Sequence, residues 1–209
     1  MKLTVIIPTY NSKDYIIDCI QSVKDKTKNL EHEIIVVDNN SSDNTVSSIS
    51  KNFNQIDIVM NDKNYGYSKA VNIGLMKGKG EFICVLNPDT IILSNAFEVL
   101  ISYLEENRNI GCVGPKILNK DGTFQFSCRR NFPYIKYLLP KFFLLDQKFP
   151  HSHFLNSYNF GSASINQTWH VNSISGSFML LPKSVVEIVG LFDENFFMFW
   201  EDTDYCNRV

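Results

Sequence analysis

The sequence lacks the marks of several large protein classes. No GxGxxG motif follows the first apolar run, which disfavours a dehydrogenase, and no P-loop lysine motif occurs anywhere in the chain. An excess of positive charge is also missing. The 20 Lys and Arg residues face 22 Asp and Glu residues, so the net charge of −2 gives no sign of a nucleic-acid footprint.

Long apolar runs are missing as well. No run approaches the length of a membrane-spanning helix, and the N-terminal MKLTVIIPTYN has too short an apolar stretch for a signal peptide. No CxxC pair occurs among the five cysteines, and several of them lie inside apolar runs. This pattern predicts reduced core thiols in a cytosolic compartment, and hence a cytoplasmic protein.

Short apolar runs alternate with amphipathic stretches over the first half of the chain. Strands are predicted at LTVIIP, EIIVVD, IDIVM and EFICVLN. Helices are predicted after each of them: one capped by Ser12, a short one from Asp43, one closing on Gly78, and one over residues 94–107. The alternation predicts an α/β fold in which helices cover both faces of a mainly parallel sheet.

The regular alternation of predicted strands and helices ends after Gly111. A hairpin is predicted to turn at NKDG, while Arg129–Trp169 is aromatic-rich and receives no assignment. Two strands, a short helix ending at Gly190 and a helix entered near Glu201 follow. Without a linker or repeat, residues 1–209 are predicted to form a single domain, and truncation at the C-terminus is left open.

Polar clusters follow each of the first four predicted strands: PTYN, DNNSSD, NDKNYG and NPDT. Any one of them could simply form a turn or cap a helix. In an open parallel sheet, however, ligands bind beyond the carboxyl ends of the strands. Four such loops along one edge therefore predict a ligand site.

A second acidic cluster lies in FFMFWEDTDYCNR, where Glu201, Asp202 and Asp204 follow an aromatic run. Capping by the helix macrodipole could account for one of these carboxylates. Capping does not account for all three carboxylates. A carboxylate against apolar surface tends toward a raised pKa, as a general base requires.

Taken in order, VIIPTYN, IIVVDNNSSD, NYGYSKAVNIG, VLNPDT, SGSFMLLPKS and GLFDENFFMFWEDTDYCNR resemble the family 2 inverting glycosyltransferases of GT-A fold, especially the rhamnosyltransferase-like branch. The resemblance covers nearly the whole chain except Arg129–Trp169. Many GT-A enzymes carry Asp-x-Asp where this chain has Asn87-Pro88-Asp89. Only one carboxylate is thus present to hold a metal.

The resemblance implies a nucleotide-sugar-binding half over residues 1–110 and an acceptor-side half over residues 111–209. Asp38 would accept the N3–H of a pyrimidine base, Gly66 would allow close approach to base and diphosphate, and Asp89 would bind Mg²⁺ or Mn²⁺. The implied nucleotide-sugar-binding residues are Pro8, Thr9, Tyr10, Asp38, Asn40, Asn64, Gly66, Asn87 and Asp89.

On the acceptor side, the resemblance makes Asp202 the catalytic base, behind an apolar wall that can raise its pKa. It assigns Ser175, Gly176, Glu201 and Asp204 to the acceptor side. The implied reaction moves a sugar from a UDP- or dTDP-sugar to a saccharide or lipid-linked saccharide, in surface polysaccharide or glycan assembly.

Two alternatives stay open. A sugar-nucleotide nucleotidyltransferase normally carries a Gly-rich loop with a basic residue after the first strand, and PTYNSKDY does not match. A non-catalytic nucleotide-sugar-binding module is the other. Residues 132–150 could be a core excursion or a surface that meets a lipid-linked acceptor at the inner face of the membrane. The prolines favour the core interpretation.

Overall fold

The computed structural model describes residues 1–149 and 152–209, which form an α/β fold around a five-stranded sheet. Strand order in this sheet is β3-β2-β1-β4-β7, and β5 pairs with β6 in a separate ribbon. The strands are β1 Leu3–Thr9, β2 His32–Asp38, β3 Asp57–Met60, β4 Phe82–Leu86, β5 Arg129–Arg130, β6 Ser173–Ile174 and β7 Phe178–Pro182.

Eight α-helices in the described part of the chain connect and cover these strands. They are α1 Ile16–Lys26, α2 Thr45–Asn52, α3 Tyr67–Lys77, α4 Ala96–Glu106, α5 Ile135–Phe142, α6 Leu145–Lys148, α7 Lys183–Val189 and α8 Glu201–Arg208. Within the two described ranges, no helix has the length and apolar character needed to cross a membrane.

The central strands are parallel, and β7 runs antiparallel to β4. Because side chains alternate along a strand, Val5 and Ile7 pack with α1 and α4, while Ile6 packs with α3 and α8 on the other face. All seven residues of β1 are buried. The predicted mainly parallel sheet with helices on both faces is therefore confirmed.

Ser12 is not the N-cap that the sequence predicts. Helix α1 begins at Ile16, and the Ser12 carbonyl accepts hydrogen bonds from the backbone N–H groups of Tyr15 and Ile16. The Ser12 hydroxyl instead donates to the Tyr10 carbonyl at 3.2 Å. Its side chain thus closes a turn before the helix rather than satisfying a helical N–H.

The predicted hairpin at NKDG is present in shortened form. Gly122, at φ +84°, donates to the Asn119 carbonyl, and Leu118 forms an isolated bridge with Phe124. The segment before the turn does not extend this pairing, because Val113 bridges Leu180 of β7 instead.

The prediction that residues 132–150 pack in the core is wrong for residues 132–149. Pro150 lies outside the residues that the structure describes. Helix α5 is anchored by the buried Pro140. Ile135 and Phe142 lie away from that anchor and are 74% and 80% exposed. The prolines do not prevent a short helix, but its apolar face points to solvent.

Candidate active site

The carboxyl ends of β1 and β2 meet at Thr9 and Asp38, which are register partners. Both side chains are buried. The Asp38 carboxylate accepts from the backbone N–H of Ser41 at 2.9 Å and from its hydroxyl at 2.5 Å. Thr9 Oγ1 has no hydrogen-bond partner in the described part of the chain. An unpartnered buried hydroxyl at this edge is suited to contact a ligand.

The other residues predicted near the nucleotide lie along the same edge. Pro8 is buried within β1, Tyr10 is half-exposed after it, and Asn40 is exposed with a left-handed backbone at φ +63°. Asn64 lies one loop further on, where its side-chain oxygen accepts from the backbone N–H of Gly66 at 2.9 Å.

The backbone conformation and packing at position 66 both require glycine. Its φ of +88° favours glycine, and an added Cβ would lie 2.5 Å from the carbonyl oxygen of Phe197. The backbone of Gly66 therefore lies close to the loop that precedes α8. Asn39, which the sequence analysis missed, donates to the Gly66 carbonyl at 3.0 Å and so helps to hold this junction.

The turn after β4, residues 87–90, is held by backbone hydrogen bonds, and we call it the acidic turn. The Asp89 side chain in this turn is exposed. The Asn87 N–H donates to the Ser177 carbonyl at 3.1 Å, and the Thr90 N–H donates to the Asn87 carbonyl. No hydrogen bond or ion pair engages the Asp89 carboxylate within residues 1–149 and 152–209. The same ranges contain no cluster of three or more metal-ligating side chains.

Asp202 lies in the first turn of α8 and is buried. One carboxylate oxygen accepts from the Arg130 guanidinium at 2.5 Å and from the Gly176 N–H at 2.9 Å. The other accepts from the Thr203 hydroxyl at 3.2 Å. Three distant segments, β5, the β6–β7 loop and α8, therefore converge on this carboxylate.

Tyr67 connects the acidic turn to this carboxylate. Its hydroxyl lies 2.9 Å from the Gly176 carbonyl oxygen and 3.2 Å from the Asn87 side-chain oxygen, and it can donate to either. Burial, reinforced by the negative charges of Glu201 and Asp202, raises the pKa of Tyr67 well above its usual range. The phenol therefore stays protonated and keeps the hydrogen that these contacts require.

Glu201, the residue before Asp202, is buried as well. Burial, with a smaller contribution from the Asp202 charge, raises the pKa of Glu201 above its usual 4.5. Its Oε2 has no hydrogen-bond partner in the described residues. The aromatic run before α8 builds no buried wall, since Phe199 and Trp200 are 71% and 47% exposed. Both have positive φ, an uncommon conformation that clusters at functional sites.

Asp204 is not brought together with Asp202. Residues two apart on a helix point to opposite sides, and Asp204 pairs with Arg208 at 2.9 Å. Arg208 also donates to the carbonyl of Leu191 at 3.0 Å. Ser175 does lie beside the site, with its hydroxyl 2.7 Å from that of Ser177.

Tyr67 and Arg130 are the principal residues that the sequence analysis missed. Tyr67 stands inside the NYGYSKAVNIG motif, so a signal was present but carried no information on its partners. Arg130 lies in the unassigned stretch, 72 residues from Asp202. No local pattern links those two positions.

We expect Glu201→Gln to stabilise the protein increasingly as pH rises from about 4.5. Between the pKa of Glu201 in the unfolded chain and its raised pKa in the folded protein, the folded state binds more protons than the unfolded state. The wild-type protein therefore loses stability as pH rises through that interval. The variant lacks this titration. Urea unfolding from pH 4 to pH 8 measures the difference, with the exposed Glu187→Gln as the control for net charge. A constant difference across this range would contradict the prediction.

We expect Arg130→Met to lower the free energy of unfolding by about 3 kcal/mol, the low end of the range for breaking a buried ion pair. The two side chains retain only 18% and 11% exposure. In an Asp202→Asn background the same change should cost clearly less, because no charge is left unpaired. Denaturant unfolding of the four proteins gives this coupling. Lys28→Met, which removes an exposed ion pair with Asp25, should cost about 0.5 kcal/mol or less.

Comparison with known proteins identifies the family. The model named "Glycosyl transferase family 2" matches residues 4–187. An N-acetylglucosaminyl-diphospho-decaprenol L-rhamnosyltransferase of Mycobacterium tuberculosis is 26% identical over 187 residues, covering 84% of this chain and 60% of that protein.

Two solved structures share the fold. Staphylococcus aureus TarS 1–349 in complex with UDP matches with a TM-score of 0.64 and 22% identity, covering 99% of this chain and 54% of that one. The Pyrobaculum calidifontis mannosyltransferase PcManGT, in complex with GDP-Man and Mn²⁺, matches with a TM-score of 0.65 and 17% identity, covering 98% and 50%.

The chain spans less than two-thirds of these proteins, and 42% and 35% of two other curated glycosyltransferases, GlyG of Streptococcus pneumoniae and one of Haemophilus influenzae. The family match nevertheless extends over most of the sequence and includes the loops at the carboxyl ends of β1 to β4. The fold is the GT-A fold of its structural neighbours. The chain belongs to glycosyl transferase family 2.

Proposed function

We propose that this glycosyltransferase moves a sugar from a UDP- or dTDP-sugar to a hydroxyl of a saccharide or lipid-linked saccharide, with inversion at the anomeric carbon. The observation that carries the proposal is the connection through Tyr67, which joins Asn87 at the acidic turn to Gly176 and thus to Asp202. Such a connection holds a donor side and an acceptor side in one fixed geometry, as transfer requires.

The donor base is proposed to lie against Asp38. Ser41 donates one hydrogen bond to each oxygen of the Asp38 carboxylate, yet each oxygen keeps a lone pair that can accept a pyrimidine N3–H. Thr9 Oγ1 supplies an unpartnered group beside it. The UDP bound to TarS is consistent with a uridine donor, since that protein shares the fold. Pro8, Tyr10, Asn40, Asn64 and Gly66 complete the proposed donor side.

A divalent cation, Mg²⁺ or Mn²⁺, fits the acidic turn. Asp89 offers an exposed and unpaired carboxylate, and Asn87 offers a neutral oxygen two residues away. One protein carboxylate suits a cation that takes its other ligands from phosphate and water. When bound, the cation would neutralise charge on the departing diphosphate. The Mn²⁺ present with PcManGT supports this assignment.

Asp202 is proposed as the general base. Arg130 and the Gly176 N–H orient one of its oxygens, and the other has only the Thr203 hydroxyl as a partner, which leaves a lone pair for an acceptor hydroxyl. As the acceptor oxygen bonds to the anomeric carbon, its proton passes to Asp202. The bond from that carbon to the diphosphate oxygen breaks on the opposite face, which inverts the configuration.

The remaining proposals follow from this assignment. Residues 1–110 bind the donor, while residues 111–209, with Ser175, Gly176 and Glu201, form the acceptor side. The rhamnosyltransferase relative supports a role in surface polysaccharide or glycan assembly. All five cysteines are free thiols, which suits a cytoplasmic location. A non-catalytic nucleotide-sugar-binding module is the alternative that the next experiments test.

Asp89→Ala should abolish the metal-dependent part of donor affinity while leaving the domain folded. The carboxylate is exposed and unpaired, so its loss removes a cation ligand without leaving a buried partner. Calorimetric titration of UDP with and without Mn²⁺ measures the effect, and Glu187→Ala, at an exposed carboxylate on α7, is the control. Retention of Mn²⁺-dependent UDP binding in Asp89→Ala would remove this residue from the metal site.

Asp202→Asn should lower turnover by roughly 10²–10⁴-fold, the usual scale for general acid–base catalysis, with UDP affinity nearly unchanged. The amide keeps the shape but cannot accept the proton. Release of free nucleoside diphosphate measures turnover per folded molecule.

Glu201→Gln and Asp204→Asn are the comparison variants for this test. A larger loss in Glu201→Gln would make Glu201 the base and leave Asp202 a positioning role. Absence of turnover in wild type with every acceptor, despite UDP binding, would favour the non-catalytic module.

A further inference from the structure

We infer that α5, α6 and the adjoining loops form a surface that binds anionic phospholipid membranes. We call residues 134–149 the α5–α6 surface. Seven of its large apolar side chains are exposed to solvent, and exposed apolar patches mark protein or membrane interaction sites. They are Tyr134, Ile135, Leu139, Phe142, Phe143, Leu144 and Phe149, with exposures from 47% to 80%.

The exposed side chains are arranged as an interfacial helix requires. Ile135, Leu139 and Phe142 follow one another at i, i+4 and i+7, so they form one stripe along α5. Pro140 packs on the protein side. A helix whose apolar stripe faces outward can bury that stripe at the boundary between lipid headgroups and acyl chains.

The charges of the α5–α6 surface favour a lipid partner over a second protein. It carries Lys136, Lys141 and Lys148 against a single acidic residue, Asp146, in a chain whose net charge is −2. Within the described ranges, none of the three lysines forms an ion pair. Each lies over an aromatic ring: Lys136 is 4.7 Å from the Tyr137 centroid, and Lys141 is 5.0 Å from that of Tyr158. Unpaired lysines beside aromatic rings match the two signals, basic and apolar, that stable membrane attachment needs.

The α5–α6 surface begins close in sequence to Arg130, the ion-pair partner of the proposed base. Arg130, which holds Asp202, precedes Ile135 by only five residues. Attachment to a membrane would therefore present the acceptor side to lipid-linked saccharides. That last step rests on the proposed function; the membrane binding itself does not.

The test is co-sedimentation of the protein with phosphatidylcholine vesicles and with vesicles that also contain phosphatidylglycerol. We expect binding to the anionic vesicles that weakens as salt is added. Each lysine near an anionic surface contributes about fivefold, so Lys136→Gln/Lys141→Gln/Lys148→Gln should weaken partitioning about 100-fold. Phe142→Ser/Phe143→Ser should weaken it as well, since it removes the inserted rings.

Matched controls separate this surface from general effects of charge and exposure. Lys28→Gln/Lys51→Gln/Lys79→Gln produces the same net charge from exposed lysines elsewhere. Ile188→Ser removes an 84% exposed apolar side chain from α7. Both controls should bind vesicles as wild type does. Thermal unfolding verifies that every variant is folded.

Three outcomes would overturn the inference: equal binding to both vesicle types, equal loss in the control variants, or self-association in sedimentation velocity that Phe142→Ser/Phe143→Ser abolishes. The last would mean that a second copy of the chain covers the surface. Vesicle binding is measured without donor or acceptor. A failure of sugar transfer therefore contradicts the proposed function and leaves this inference standing.

Discussion

The burial of the Asp202 carboxylate is the constraint on which the proposed acceptor side depends. A buried charge is stable only when it is paired and hydrogen-bonded, since desolvation costs several kcal/mol per ion. Here Arg130 and the Gly176 N–H meet that need on one oxygen. The backbone paths of β5, the β6–β7 loop and α8 must therefore converge on a single point. The same contacts that stabilise the carboxylate also orient it.

Helix α3 links this point to the proposed donor side. The Tyr67 hydroxyl lies within hydrogen-bonding distance of both Asn87 and Gly176. The Tyr67 backbone N–H donates to the Phe197 carbonyl at 2.7 Å. One turn later, Asn72 exchanges hydrogen bonds with the backbone of Phe192 at 2.9 Å. The loop that leads into α8 is thus fastened to a helix whose N-terminus lies at the carboxyl edge of the sheet. Changes in the conformation of that loop would therefore affect both halves of the proposed site.

Two adjacent carboxylates in α8 have different environments for a simple geometric reason. Successive residues on a helix point about 100° apart. Asp202 consequently faces Arg130, whereas Glu201 is buried without a partner for its Oε2 and has a raised pKa. Two neighbouring groups whose environments differ in this way can serve different roles in one site.

The sequence by itself determined the sheet, its helices and the edge at which the site lies. Apolar periodicity is a local property, and a parallel register brings the ends of β1, β2 and β4 to one edge whatever the loops contain. The tertiary structure alone decided what each loop residue touches. Phe197 approaches Gly66, Asp204 pairs with Arg208, and the α5–α6 surface exposes apolar side chains. These outcomes depend on contacts between residues far apart in the chain, and sequence periodicity carries no information about such contacts.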